Sequence, residues 1–219
     1  MGTYLMVQLG LVLLEAAACI AGFLNWRKIR HSYWKWFPPY LLLLVAVELT
    51  CLYLAYVMDN RELNGKIYMY FGIPVQFFFF FWIMAQYLKP YRENRWPLYG
   101  AAIYLASLIA DLTWLAGERF WFSSLSYTVG NLVLLVLILL FFIKFIKSEE
   151  ILRYRSSMMF WVSLGLLVFY LGSFPFFALR NTLYYEYREV FNVYRYVAMG
   201  LDYLMYIFFT LAFIWTKPN

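Results

Sequence analysis

The chain has 219 residues, of which 65% are hydrophobic and only 14% charged, and its mean hydropathy is +0.66. A soluble domain is about half apolar and a quarter charged, so a water-soluble globule of this size cannot hide so much apolar surface, and a lipid bilayer is the expected solvent. The net charge of +6 is spread in a way that orients a membrane protein rather than marking a nucleic-acid binder.

Seven apolar runs follow one another along the chain, at 4–25, 38–58, 67–88, 97–116, 121–146, 157–179 and 191–215. Each is near the length of about 20 residues that spans a hydrocarbon core as α-helix. The expected fold is an all-α integral membrane bundle of seven transmembrane helices, a single domain over 1–219 with little room for a soluble module. In the first run Glu15 interrupts the apolar sequence, and the positive residues Arg27, Lys28 and Arg30 follow it rather than precede it. That order reads as a retained helix, not a signal peptide. Pro38-Pro39 and Pro97 stand where helices begin, the position that tolerates proline. Pro74 (beside Gly72) and Pro175 (after Gly172) fall inside the third and sixth runs, where they predict kinks. The stretch from Asp59 to Lys66 reads as a polar connection between runs.

With seven crossings, twelve of the eighteen basic residues fall on one side: Arg27, Lys28, Arg30, Lys35, Lys89, Arg92, Arg95, Lys144, Lys147, Arg153, Arg155 and Lys217. Arg61, Lys66, Arg119, Arg180, Arg188 and Arg195 fall on the other. The positive-inside rule puts the larger group in the cytoplasm, hence the amino terminus outside and the carboxyl terminus inside. Aromatic clusters such as Tyr33, Trp34, Trp36 and Phe37, or Trp114, Phe120, Trp121 and Phe122, are placed as interfacial belts. The run Tyr184-Tyr185-Glu186-Tyr187-Arg188 is read as a further anchor, with a lid as the alternative.

The informative residues are the acids inside the apolar runs, namely Glu15, Glu48, Asp111 and Asp202. A carboxylate at the bilayer centre is costly unless protonated, paired or hydrated. Glu15, Glu48 and Asp202 each lie about ten residues from both ends of their run, near the midplane by the helical rise. Gln76, Asn131 and Ser173 lie somewhat outward of them. Helical spacing aligns Gln8, Glu15, Gly22 and Asn25 on the first helix, Ser124, Thr128 and Asn131 on the fifth, and Asp202, Tyr206 and Thr210 on the seventh. The expected site is therefore a polar midplane pocket open toward the outer side, with Glu15, Glu48 and Asp202 meeting a small ligand or cation. Gln76, Asn131 and Ser173 would orient it. The competing expectation is that these groups glue helices together by interhelical hydrogen bonds. Asp111, nearer the external end of its helix, is expected either to belong to such a site or simply to reach water.

Several chemistries are excluded by residue count. The last helix holds no lysine before Lys217, so no retinal Schiff base is expected. The single histidine, His31, cannot supply the several ligands of a zinc hydrolase. Cys19 and Cys51 both sit in apolar runs and read as buried fillers. No cofactor and no metal ligand is expected.

The stretch from Phe160 to Pro175, FWVSLGLLVFYLGSFP, resembles a segment of small, aromatic-rich, uncharacterised bacterial seven-helix membrane proteins. The resemblance implies that architecture and a bacterial inner membrane, with no activity to carry over. The leading functional expectation is a receptor-like bundle that signals to a separate cytoplasmic or membrane partner, with the segment from Lys144 to Arg155 facing it. The alternatives are a proton- or sodium-coupled transporter of small solutes, a membrane enzyme acting on lipid through two carboxylates, and a structural subunit.

Overall fold

The computed structural model describes residues 2–113, 122 and 124–216. Among them every regular element is helical. The helices are α1 (Gly2–Leu24), α2 (Trp26–Ile29), α3 (Phe37–Tyr56), α4 (Arg61–Ile67), α5 (Ile73–Leu88), α6 (Trp96–Thr113), α7 (Ser124–Ile146), α8 (Met158–Ala178), α9 (Arg180–Glu186) and α10 (Arg188–Trp215). Six stretches are long and apolar enough to cross a membrane: Tyr4–Leu24, Tyr33–Tyr56, Arg61–Leu88, Ser124–Ile146, Met158–Ala178 and Arg188–Trp215. They are the mark of a multi-pass membrane protein. The expected fourth crossing corresponds to α6, which has 18 residues and is not among the six. Residues 114–121 and 123 lie outside the described residues, and with them Trp114, Glu118, Arg119, Phe120 and Trp121; so does Lys217.

Local chemistry sets the helix ends. Pro38 and Pro39 occupy the first turn of α3, as expected. Three residues past its end at Tyr56 stands Asp59, the one described non-glycine residue with positive φ, at 47°. The Asn60 N–H folds back there to the Leu54 carbonyl at 2.9 Å, satisfying a terminal acceptor. The Asp59–Lys66 stretch is not the polar connection its composition predicts. Asn60 caps a new helix by accepting the Leu63 N–H at 3.0 Å, and Lys66 pairs with Glu62 one turn earlier at 2.5 Å. From α4 the chain passes through a π turn, Tyr68–Gly72, straight into α5. In that turn the Ile73 N–H reaches back five residues to the Tyr68 carbonyl. The helix break expected around Pro74 thus takes the form of a π turn just ahead of the proline, which lacks an N–H to extend the regular ladder. Pro175 stays inside α8, three residues before its end. Two further expected connections also contain helix, as α2 and α9.

Packing proceeds from neighbour to neighbour. α1 lies against α3 and α10, α10 against α8, α8 against α7, and α7 against both α6 and α5. Small residues mark the tightest approaches: a Cβ on Gly165 of α8 would stand 3.2 Å from the Met205 carbonyl of α10, and one on Gly130 of α7 would stand 2.8 Å from the Tyr104 ring of α6. Small residues at membrane crossings let backbones approach closely enough for dispersion to hold them. Aromatic rings fill the space between. Phe37 meets Phe80, Phe209 and Phe213, and Tyr40 stacks on Phe79 at 3.8 Å. Phe77 contacts Tyr104, Tyr127 and Tyr170. Such pairs contribute about 0.5–1.5 kcal/mol beyond burial. The outer faces stay apolar, with Leu13 at 71% and Leu98 at 68% exposed, which suits contact with lipid.

The end of the bundle that carries Lys28 and Lys144 is pinned by polar contacts. Lys28 Nζ donates to the Ile214 carbonyl at 3.1 Å, a cation at the carboxyl end of α10. Lys144 pairs with Glu93 at 2.8 Å and lies over the Tyr91 ring at 4.4 Å. The Lys144 ammonium holds the Glu93 carboxyl below the usual carboxylate range. Cys19 and Cys51 are free and buried, and Cys19 Sγ donates to the Pro38 carbonyl at 3.6 Å.

Candidate functional site: a carboxylate gap between α1, α3 and α10

Three helices bring Glu15, Glu48 and Asp202 together. Glu15 on α1 is 3% exposed and its Oε2 atom has no hydrogen-bond partner. The Tyr206 hydroxyl of α10 approaches its carboxyl. Glu48 on α3 accepts a short hydrogen bond from the Tyr68 hydroxyl. That donor is the first residue of the π turn, so the irregular backbone aims a hydroxyl at Glu48. Asp202 on α10 is within electrostatic reach of both Glu48 and Glu15. Glu48 and Asp202 are surrounded by protein yet only half-buried, so they line a gap inside the bundle rather than a closed core.

Tyrosines accompany these acids. Tyr206 and Tyr68 offer their hydroxyls to Glu15 and Glu48, Tyr40 lies within electrostatic reach of Glu15, and Tyr127 and Tyr170 lie within reach of Asp202. The Tyr40 hydroxyl is buried with no partner. Among the described residues no three His, Cys, Asp or Glu side chains stand close enough to hold one metal ion.

The other candidates sit elsewhere. Asn131 is fully buried on α7 and donates its side-chain N–H to the Tyr170 carbonyl of α8 at 3.1 Å. Ser173 is 1% exposed on α8 and lies beside Tyr127 of α7. Both belong to the α7–α8 seam, where Tyr127 and Tyr170 lie within electrostatic reach of Asp202. Gln76 on α5 is half-buried. Asp111 does not reach water. It is 2% exposed, and its Oδ2 accepts the Ser126 backbone N–H at 2.6 Å, capping the first turn of α7 from α6.

At the end of the bundle where α1 begins, cations stand on aromatic faces. The Arg195 guanidinium lies over the Tyr4 ring at 3.9 Å, and Arg180 lies over Phe122 at 4.3 Å and Phe177 at 5.2 Å. Burial pushes the Arg180 guanidinium down to about 10, so it remains charged at neutral pH. Nearby, the Tyr56 hydroxyl of α3 donates to Gln8 Oε1 of α1 at 2.7 Å. Sequence reasoning placed Arg180 and Arg195 near helix ends without a role and passed over Tyr68. The only signal for Tyr68 was its place six residues before Pro74, and a π turn is not readable from spacing. Compared with known proteins, the chain matches no family model, no curated protein and no solved structure.

Proposed function

We propose that the chain is a seven-helix bundle of the bacterial inner membrane, amino terminus outside, that binds a small organic cation in the gap between α1, α3 and α10 and passes occupancy to a separate partner. The observation that carries the reading is the meeting of Glu15, Glu48 and Asp202 from three helices, with tyrosines beside them and with Glu48 and Asp202 only half-buried. Carboxylates that share one low-dielectric space repel one another when ionised, and a bound cation relieves that repulsion. The seventh crossing is supported by α6, which runs antiparallel to α7. Gly100 sits against Val133, Tyr104 against Gly130, and Asp111 against Ser126. The orientation is supported by the twelve-to-six division of basic residues.

The test is thermal stabilisation of the purified protein by tetramethylammonium, putrescine and agmatine. At least one of them is expected to raise the unfolding temperature of the native protein, and Glu48→Gln with Asp202→Asn to abolish the rise. If no amine stabilises the native protein, or the double variant responds as the native does, the reading fails.

A second reading is favoured by one observation, the π turn and Pro74 that interrupt the α4–α5 path beside Glu48. Broken helices at midplane acids are a feature of coupled transporters. Proton or sodium flux into proteoliposomes that is lost in Glu48→Gln would put transport ahead of signalling.

A further inference from the structure

We propose that Arg195 is the anion-receiving pole of the same gap, so that the ligand is an extended zwitterion with its ammonium at Glu15 and Asp202 and its carboxylate at Arg195. This rests on the reading above, in which the carboxylates hold a cationic group. Arg195 and Asp202 are seven residues apart on α10, which puts them on one face with a separation of about 10 Å along the axis. The Arg195 guanidinium rests on Tyr4 of α1, and Tyr4 is itself within electrostatic reach of Tyr56 and Glu48 of α3. Tyr4 and Gln8 on α1, Tyr56 and Glu48 on α3, and Arg195 and Asp202 on α10 thus form one polar seam. It is positive at the end where α1 begins and negative at its middle.

Arg195 is half-buried, its Nε atom is buried without a partner, and among the described residues it makes no ion pair. A partly desolvated guanidinium is costly where no carboxylate offsets it. Stacked on an aromatic face, it keeps its in-plane N–H donors available for bidentate contact with an incoming carboxylate. The nearest acids on the seam lie about two helical turns away, by the rise of α10. A single α-amino acid is too short to touch both poles. At about 3.3–3.6 Å per extended residue, a tripeptide bridges them.

The experiment measures binding of three probes to the purified full chain by calorimetry: trialanine, trialanine amide, which lacks the carboxylate, and N-acetyl-trialanine, which lacks the ammonium. Trialanine is expected to bind at least tenfold more tightly than either analogue. Arg195→Gln should remove its advantage over the amide, and Asp202→Asn should weaken both. Arg195→Lys, which keeps the charge, should retain part of the advantage and shows that loss in Arg195→Gln is not misfolding. If trialanine and its amide bind equally and Arg195→Gln alters neither, Arg195 is an interfacial anchor only; the inference falls while the cation site stands. If the simple amines bind and no peptide does, the zwitterion is likewise overturned. If neither amines nor peptides bind, the cation reading fails and this one with it.

Discussion

Asp111 illustrates how one residue can look functional in sequence and prove structural in space. An acid in an apolar run invites a ligand, yet here its carboxylate accepts a backbone N–H at the start of α7. A carboxylate at that position satisfies a terminal donor and complements the helix dipole. Asp111→Ala should therefore destabilise the protein by about 1–3 kcal/mol, the cost of a buried donor left without its partner. Asp111→Asn, which keeps an acceptor oxygen, should recover part of the loss; thermal unfolding in detergent measures both. If Asp111→Ala unfolds at the native temperature, the contact is not holding α6 to α7. Glu15 presents the opposite case, because its Oε2 atom is buried without any partner. Sequence alone singled out both residues by the same criterion, an ionisable group in an apolar run. What separates them is the neighbour across the helix interface, which spacing along one helix does not reveal.

At the scale of elements, the apolar runs predicted the long helices closely, because a span needs about 20 apolar residues and tolerates few charges. The end of α8 was expected at 179 and lies at Ala178; the start of α3 was expected at 38 and lies at Phe37. The misses cluster where polar residues form helix. Arg61–Lys66 is helical because Asn60 caps it and Glu62 pairs with Lys66, local chemistry that polarity masks. The π turn at Tyr68–Gly72 was read only as a proline break. The α8–α10 contact depends on glycine: Gly165 and Gly172 fall seven apart on one face, and a Cβ on the latter would stand 2.8 Å from Leu201. Gly165→Leu should force the helices apart at the Met205 carbonyl, costing about 1–3 kcal/mol as overpacking does. Unfolding in detergent should show a lower transition temperature for Gly165→Leu than for a lipid-facing control, Leu171→Ile. Equal temperatures would mean that the helices do not cross so closely.

For the whole molecule, the count of crossings decides where the termini lie. Seven crossings put them on opposite sides of the membrane and six put them on the same side. In a Cys19→Ala, Cys51→Ala background, Gly2→Cys should react with an impermeant maleimide applied outside intact cells, and Thr216→Cys should react only after lysis. Labelling of both positions from one side would refute the seven-span arrangement.

The sequence by itself determined the solvent, the helical class, the approximate spans and the list of acids inside the apolar runs. Those properties follow from transfer free energy, which is additive along the chain and set by residue type. Only the tertiary structure decided that Glu15, Glu48 and Asp202 come within electrostatic reach of one another while Asn131 ties α7 to α8. It also decided that Tyr68 reaches Glu48 through a π turn and that Arg195 lies on Tyr4 along the same seam. These are relations between helices distant in sequence. They depend on rotation and neighbour order in the bundle, which small residues and ring packing select and which no periodicity within a single helix encodes.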